Sequence, residues 1–98
     1  LLYFVKHCMK DCPIATMTAL IGDHSTVLIV RDLLTGPKRF KDLEESLKIS
    51  TRTLTIKLQN LEKEGMIIKE DGYSLTKKGK DLKAITKAMK KYAERYYP

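Results

Sequence analysis

Arg52, Thr55, Ile56 and Gln59 are the residues of this chain whose types and spacing could do chemistry, and the chemistry is reading base edges in duplex DNA. At ~100° per residue along a helix, Arg52, Ile56, Gln59 and Lys63 share one side of the stretch 50–65, flanked by Thr55 and Asn60. An arginine donates bidentately to guanine O6 and N7, a glutamine pairs with adenine N6 and N7, and an exposed isoleucine suits a thymine methyl. Thr51, Lys57 and Lys63 in the same stretch, and Lys38 and Arg39 ahead of it, suit phosphate, which sets register without reading sequence. A merely solvated helix face has the same polar composition, and the stretch taken alone leaves both readings open.

Two cysteines, Cys8 and Cys12, form a second set of reactive groups. Pro13 suits the first position of a helix and so places Cys12 at a helix N-terminus, with Lys10 close by; both features favour thiolate chemistry. Cys8, four residues away, could act as a resolving partner, and either thiol could bridge to a second subunit. The competing reading is a small buried hydrophobe, since free cysteine is among the most buried residue types. His7, Cys8, Cys12 and His24 lack the paired spacings of a metal site, and no metal or other cofactor is expected. No nucleophile-base constellation, phosphate loop or carboxylate pair appears, and Glu44, Glu45, Glu62 and Glu64 read as solvated partners of lysines, so an enzyme is not expected.

The elements that must position these groups are marked along the chain. Residues 1–12 mix apolar and basic side chains, and Tyr3, Phe4 and Val5 could bury against a partner or the chain's far end. From Pro13, the spacing of Ile14, Met17 and Ile21 predicts a short helix stopped by Gly22. Asp23 or Ser25 can cap a second, most apolar helix through residues 26–34, closed by Gly36 and Pro37. Phe40, Leu43 and Leu47 predict an amphipathic helix over residues 38–47. A break at Lys48 and Ile49 follows, with Ile49 plugging the angle. The next helix is capped by Ser50 and ended by Gly65, with Leu54, Leu58 and Leu61 on its inner stripe. Two short helices joined by a three- to four-residue turn make a helix-turn-helix over about residues 38–64. Asp71 and Gly72 signal a two-residue hairpin turn of the primed type, giving a wing over about residues 66–75. Thr76 then caps a last helix over about residues 76–97, with Gly79 inside it at some cost to helicity. Its stripe of Leu82, Ile85, Met89 and Tyr92 exceeds what one small core can cover, which predicts a homodimer through this helix.

With 98 residues, 43% of them apolar, the chain is one domain, residues 1–98, small enough to gain from pairing. Its net charge of +7 is uneven: residues 1–35 hold three basic and three acidic side chains, residues 36–98 sixteen and nine. That places the positive field on the half containing the helix 50–65, as an electrostatic footprint for phosphate requires. Two cysteines are too few for a disulfide framework, and the apolar start is too short for a signal segment or a membrane span, so a cytoplasmic protein is expected. The chain has no initiator Met, so leading residues are expected to be missing from its start.

Cys12-Pro13-Ile14, Leu20-Ile21-Gly22, residues 26–34, residues 36–43, Ile49-Ser50, Leu54-Thr55, Leu58, Leu61-Glu62, Gly65-Met66-Ile67 and residues 73–79 form an ordered series. Together they resemble the HxlR-type winged helix-turn-helix transcriptional regulators, relatives of the MarR group, from about Cys12 to Leu82. The fold expected is mainly α with a small two-stranded β-hairpin: a three-helix core plus terminal dimerisation helices. The resemblance implies a sequence-specific regulator acting as a homodimer on palindromic duplex DNA, with residues 51–64 in the major groove and the wing on the backbone or minor groove. It also implies a thiol-based response, because Cys12 matches a cysteine before proline through which some members sense oxidants or electrophiles. Two departures stand out. Members commonly carry Lys-Trp-Thr where this chain has His24-Ser25-Thr26, and a longer wing with prolines and an arginine where this chain has Glu70-Asp71-Gly72-Tyr73. An acidic tip repels phosphate, so Lys69 is the one wing residue proposed for a backbone contact. The rival reading is a winged helix used for protein contact without specific DNA binding.

Overall fold

The computed structural model describes residues 12–98, so Cys8, His7 and the apolar start at Tyr3, Phe4 and Val5 lie outside the described residues. Six helices and one hairpin follow in the order α1 (Pro13–Ile21), α2 (His24–Leu33), α3 (Phe40–Leu47), α4 (Thr51–Lys63), β1 (Ile67–Glu70), β2 (Gly72–Leu75), α5 (Lys77–Lys80) and α6 (Lys83–Tyr96). The cap residues explain most of these boundaries. Asp23 accepts from the Thr26 N–H at 3.0 Å and starts α2. Ser50 accepts from the Thr53 N–H at 3.1 Å and starts α4, and Thr76 accepts from the Gly79 N–H at 3.2 Å and starts α5. Each satisfies one of the orphan donors of a first helical turn. Gly65, at φ +74°, ends the α4 turn as a residue without a Cβ can.

The core lies where α2, α3, α4 and the hairpin meet. Ile29, Val30 and Leu33 from α2, Leu43 from α3, Leu54, Leu58 and Leu61 from α4, and Ile67, Tyr73 and Leu75 from the strands are all buried. Phe40, Leu47 and Ile49 pack against that cluster half-buried, so Ile49 does plug the angle between α3 and α4. The turn itself bends at Lys48, a left-handed residue at φ 53° and ψ 44°. A side chain there costs on the order of 1 kcal/mol that glycine would not.

Three details differ from the sequence reading. β1 and β2 pair antiparallel with Glu70 opposite Gly72, so the hairpin pivots on Asp71 and Gly72 belongs to the strand, at φ +104°. Lys38 forms a third, single-residue rung: its N–H donates to the Tyr73 carbonyl at 3.0 Å and the Tyr73 N–H donates back at 2.7 Å. A one-residue strand has no alternation to detect. The expected helix over residues 76–97 is two helices, broken at Asp81 and Leu82. Leu82, 5% exposed, turns into the protomer's own core and pulls the chain off the helical path.

The start of α5 anchors the end of α4. The Lys78 ammonium donates to the Glu64 carbonyl at 2.6 Å, the Thr76 hydroxyl to the Gly65 carbonyl at 2.6 Å, and the Thr76 N–H to the Met66 carbonyl at 2.9 Å. Three carbonyls at or just past the end of α4 are thereby satisfied from one short segment. No single described helix is long and apolar enough to cross a membrane; α1 and α2 together would be, but they meet at 81°.

Candidate nucleic-acid interface

α3 and α4 are held at their angle partly by a side-chain bond across the turn. The Thr51 hydroxyl donates to the Glu44 carboxylate at 2.6 Å. With Leu54, Leu58 and Leu61 buried, the opposite side of α4 is turned outward: Arg52, Gln59 and Lys63 are exposed, and Ile56 is 43% exposed. An isoleucine kept in water among polar neighbours contributes little to this core. Thr55 is half-buried and its hydroxyl already donates to the Thr51 carbonyl at 2.8 Å, leaving its oxygen lone pairs and methyl for a base.

The expected phosphate contacts divide. Lys63 is exposed, and Lys69 is exposed with its ammonium 5.8 Å from the centre of the Tyr73 ring. Lys38 is half-buried, its backbone committed to the hairpin. Lys57 faces the other way: its ammonium sits 3.2 Å from Asp23 at the start of α2, which makes it part of the scaffold. At ~100° per residue Lys57 falls beside the Leu54, Leu58 and Leu61 stripe rather than on the Arg52 side, and its long stem lets the charge reach across to a neighbouring helix. The Thr51 hydroxyl is engaged by Glu44. Arg39 lies 3.3 Å from Asp71 at the hairpin tip, so the tip carries a compensated carboxylate as well as the free-standing acidity of Glu70.

Asp23 gives the Lys57 pair a pH signature. Burial raises its carboxyl, but hydrogen bonds from the Thr26 hydroxyl and N–H and from Lys57 outweigh that effect and hold it below the ordinary 3.8. A carboxyl depressed in the folded state adds stability above its unfolded pKa, and that contribution is lost as pH falls through the folded pKa. Asn at this position still caps α2 but cannot pair with Lys57. Wild type is therefore expected to exceed Asp23→Asn by less than about 1 kcal/mol at neutral pH, and the gap in urea midpoint closes as pH falls below the ordinary carboxyl value and through the depressed folded one.

Cys12 is exposed at the N-cap of α1, its Sγ accepting from the Ala15 N–H at 3.4 Å. The buried-hydrophobe reading of this residue is therefore wrong. Among the described residues no group of His, Cys, Asp or Glu could hold a metal ion.

The stripe expected on the last helix is offset from the sequence reading. Leu82 is consumed by the core, while Ile85, Met89, Tyr92 and Tyr96 are exposed at 36%, 52%, 63% and 56%. No residue of α6 is buried. The stripe continues into an open apolar groove of about 480 Å³ lined by Ile14, Met17, Ile21, Val27, Ile85 and Met89, between α1, α2 and α6.

The architecture and the outward polar side of α4 are those of a winged helix, and a family model, the HxlR-like helix-turn-helix, matches residues 20–98. The chain belongs to the HxlR-like family. It is thus a helix-turn-helix transcriptional regulator by family. It is 33% identical over 96 residues to the HTH-type transcriptional regulator YdeP of Bacillus subtilis, covering 89% of this chain and 75% of that protein. It is 33% identical over 95 residues to YodB of the same organism, covering 87% of this chain and 85% of YodB. The crystal structure of quinone-bound YodB superposes with a TM-score of 0.80 at 32% identity, over 87% of this chain and 99% of that one. The redox regulator HypR in its oxidized form superposes at 0.75 and 27% identity, over 89% and 99%. The winged-helix architecture expected from the sequence is the one found.

Proposed function

We propose that this HxlR-like regulator acts as a homodimer on a palindromic operator, with α4 of each protomer in the major groove. Arg52, Ile56 and Gln59 read bases there, with Thr55 offering its methyl and lone pairs. Lys63, Lys69 and Lys38 contact phosphate. The observation that carries this reading is the exposed Ile56 set between Arg52 and Gln59 on a helix whose opposite side is fully used by the core. The pairing surface is the stripe Ile85, Met89 and Tyr92 with the adjoining groove.

Selection of bound sequences from a random duplex library tests the reading. Arg52→Ala is expected to relax preference at one operator position and to cost about 1–3 kcal/mol. Lys63→Ala is expected to weaken all sequences alike and to reduce the salt slope by about one. Equal losses on every sequence from both variants would remove the base-reading assignment. Absence of duplex binding at low salt by the folded protein would favour a protein-docking role.

A thiol response fits the same protein. Cys12 is exposed, and the similar proteins YodB and HypR have been captured quinone-bound and oxidized, respectively. We place the response at the Cys12 thiol, with Cys8 as a second thiol for disulfide formation; diamide accepts the two electrons and two protons released when two thiols join. Mild diamide is expected to yield a Cys12-containing disulfide by mass spectrometry and a change in operator affinity, and Cys12→Ser to abolish both. Unmodified Cys12 with unchanged affinity would sink the sensor role.

A further inference from the structure

Residues 77–98 carry eight basic side chains against two acidic ones, so six of the seven net positive charges sit behind the wing. The helix-turn-helix, residues 38–64, has seven basic and five acidic residues, a net +2. Two of its cations are already spent, Arg39 on Asp71 and Lys57 on Asp23. The segment expected to read bases is therefore poor in charge for holding a polyanion, and the terminal helix is rich in it.

At ~100° per residue, Lys83, Lys87, Lys90 and Lys91 fall on the side of α6 opposite Ile85, Met89, Tyr92 and Tyr96. All four are exposed and make no ion pair among the described residues. Lys83–Lys87 and Lys87–Lys91 are like-charge pairs four residues apart, each of which destabilises a helix slightly. Glu94 is the one carboxylate on that side. A face built only for water would intersperse both signs more evenly; with Glu94 set against four lysines, the remaining positive charge is relieved by an external anion.

We propose that this lysine face of α6 lies on the phosphate backbone of the duplex flanking the sites read by α4, a contact that rests on the DNA-binding reading above. Four cations along ~12 Å of helix meet a duplex that offers about one charge per 1.7 Å of its axis. Lysines on flexible stems suit phosphates without sequence preference. A membrane surface fits less well, because an interfacial helix must bury its apolar stripe in lipid, and here that stripe serves the second protomer. The contact supplies general affinity, and α4 supplies the choice of sequence.

The test replaces the four lysines with glutamine in the full chain (Lys83→Gln, Lys87→Gln, Lys90→Gln and Lys91→Gln) and, as a control, with arginine. Binding to the selected operator and to a random duplex of equal length is measured against salt, with hydroxyl-radical footprinting. The glutamine variant is expected to lose about two or more units of salt slope per protomer and about 10- to 100-fold in affinity at 50 mM salt on both duplexes. Its operator-to-random ratio and dimer mass stay unchanged, its footprint loses the flanking protection, and the arginine variant keeps all of them. Unchanged slope and footprint in the glutamine variant would overturn the proposal. So would loss of binding to poly-glutamate or phosphatidylserine vesicles with the DNA slope intact. Failure of the base-reading assignment looks different: wild type would then bind operator and random duplex equally, with a slope that still falls in the glutamine variant.

Discussion

Gly79→Ala is expected to destabilise the protein by about 3 kcal/mol, and the thermal midpoint to fall by roughly 10 °C or more for a domain of this size. Helix propensity alone argues the opposite, since Ala is better than Gly in a helix by about 1 kcal/mol. The geometry decides against propensity. A Cβ on Gly79 would stand 2.1 Å from the Met66 carbonyl oxygen and 2.9 Å from Leu75 Cδ2. The leucine tip can rotate away, but the carbonyl is backbone, fixed between the buried Met66 and the Thr76 N–H that donates to it at 2.9 Å. Relief would require α5 to lift from the end of α4, breaking the bonds that Thr76 and Lys78 make to the Gly65 and Glu64 carbonyls. The control is Lys80→Ala, one residue on and exposed, expected to change stability by less than about 0.5 kcal/mol. A Gly79→Ala midpoint equal to or above wild type would mean that this close approach is not a constraint.

Gly79 also marks where sequence reading stops. Features that depend on neighbours along the chain were legible: Ser50 and Thr76 as caps, Asp23 as one of two candidate caps with Ser25, Gly65 as a stop, and the Leu54, Leu58 and Leu61 stripe that turns Arg52, Ile56 and Gln59 outward. Features that depend on approach between distant segments were not. Spacing sets Lys57 beside the leucine stripe but does not name Asp23 as its partner, and Arg39 looks free until the hairpin folds back to bring Asp71 within 3.3 Å. Lys38 joins the sheet through its backbone, which its side-chain type cannot advertise. Leu82 fits the apolar stripe by spacing, and only the core that it enters explains why the helix breaks there. The positive charge is concentrated more finely than the two halves of the chain show. The second half is basic as a whole, yet the excess belongs to residues 77–98 rather than to the helix-turn-helix.

Met89→Glu is expected to separate the proposed homodimer and lower operator affinity by about 10²- to 10⁴-fold. Met89 sits near the middle of the exposed α6 stripe between Ile85 and Tyr92 and also lines the groove against α1 and α2. It is half exposed in the protomer, so a carboxylate there remains in water when the chain is alone and costs its fold little. In a paired interface the same carboxylate would be stripped of water opposite methionine, isoleucine and tyrosine side chains without a cation prepared for it, a cost of several kcal/mol. Loss of pairing turns bivalent engagement of a palindrome into two separate half-site events, and affinity falls without any change at α4. Sedimentation equilibrium should therefore report a monomer whose helicity by circular dichroism matches wild type. Its preference among half-site sequences should survive, because Arg52, Ile56 and Gln59 are untouched. A Met89→Glu protein that stays dimeric and keeps full operator affinity would move the pairing surface off α6, leaving the exposed tyrosines and the groove beneath them to be assigned to a different partner.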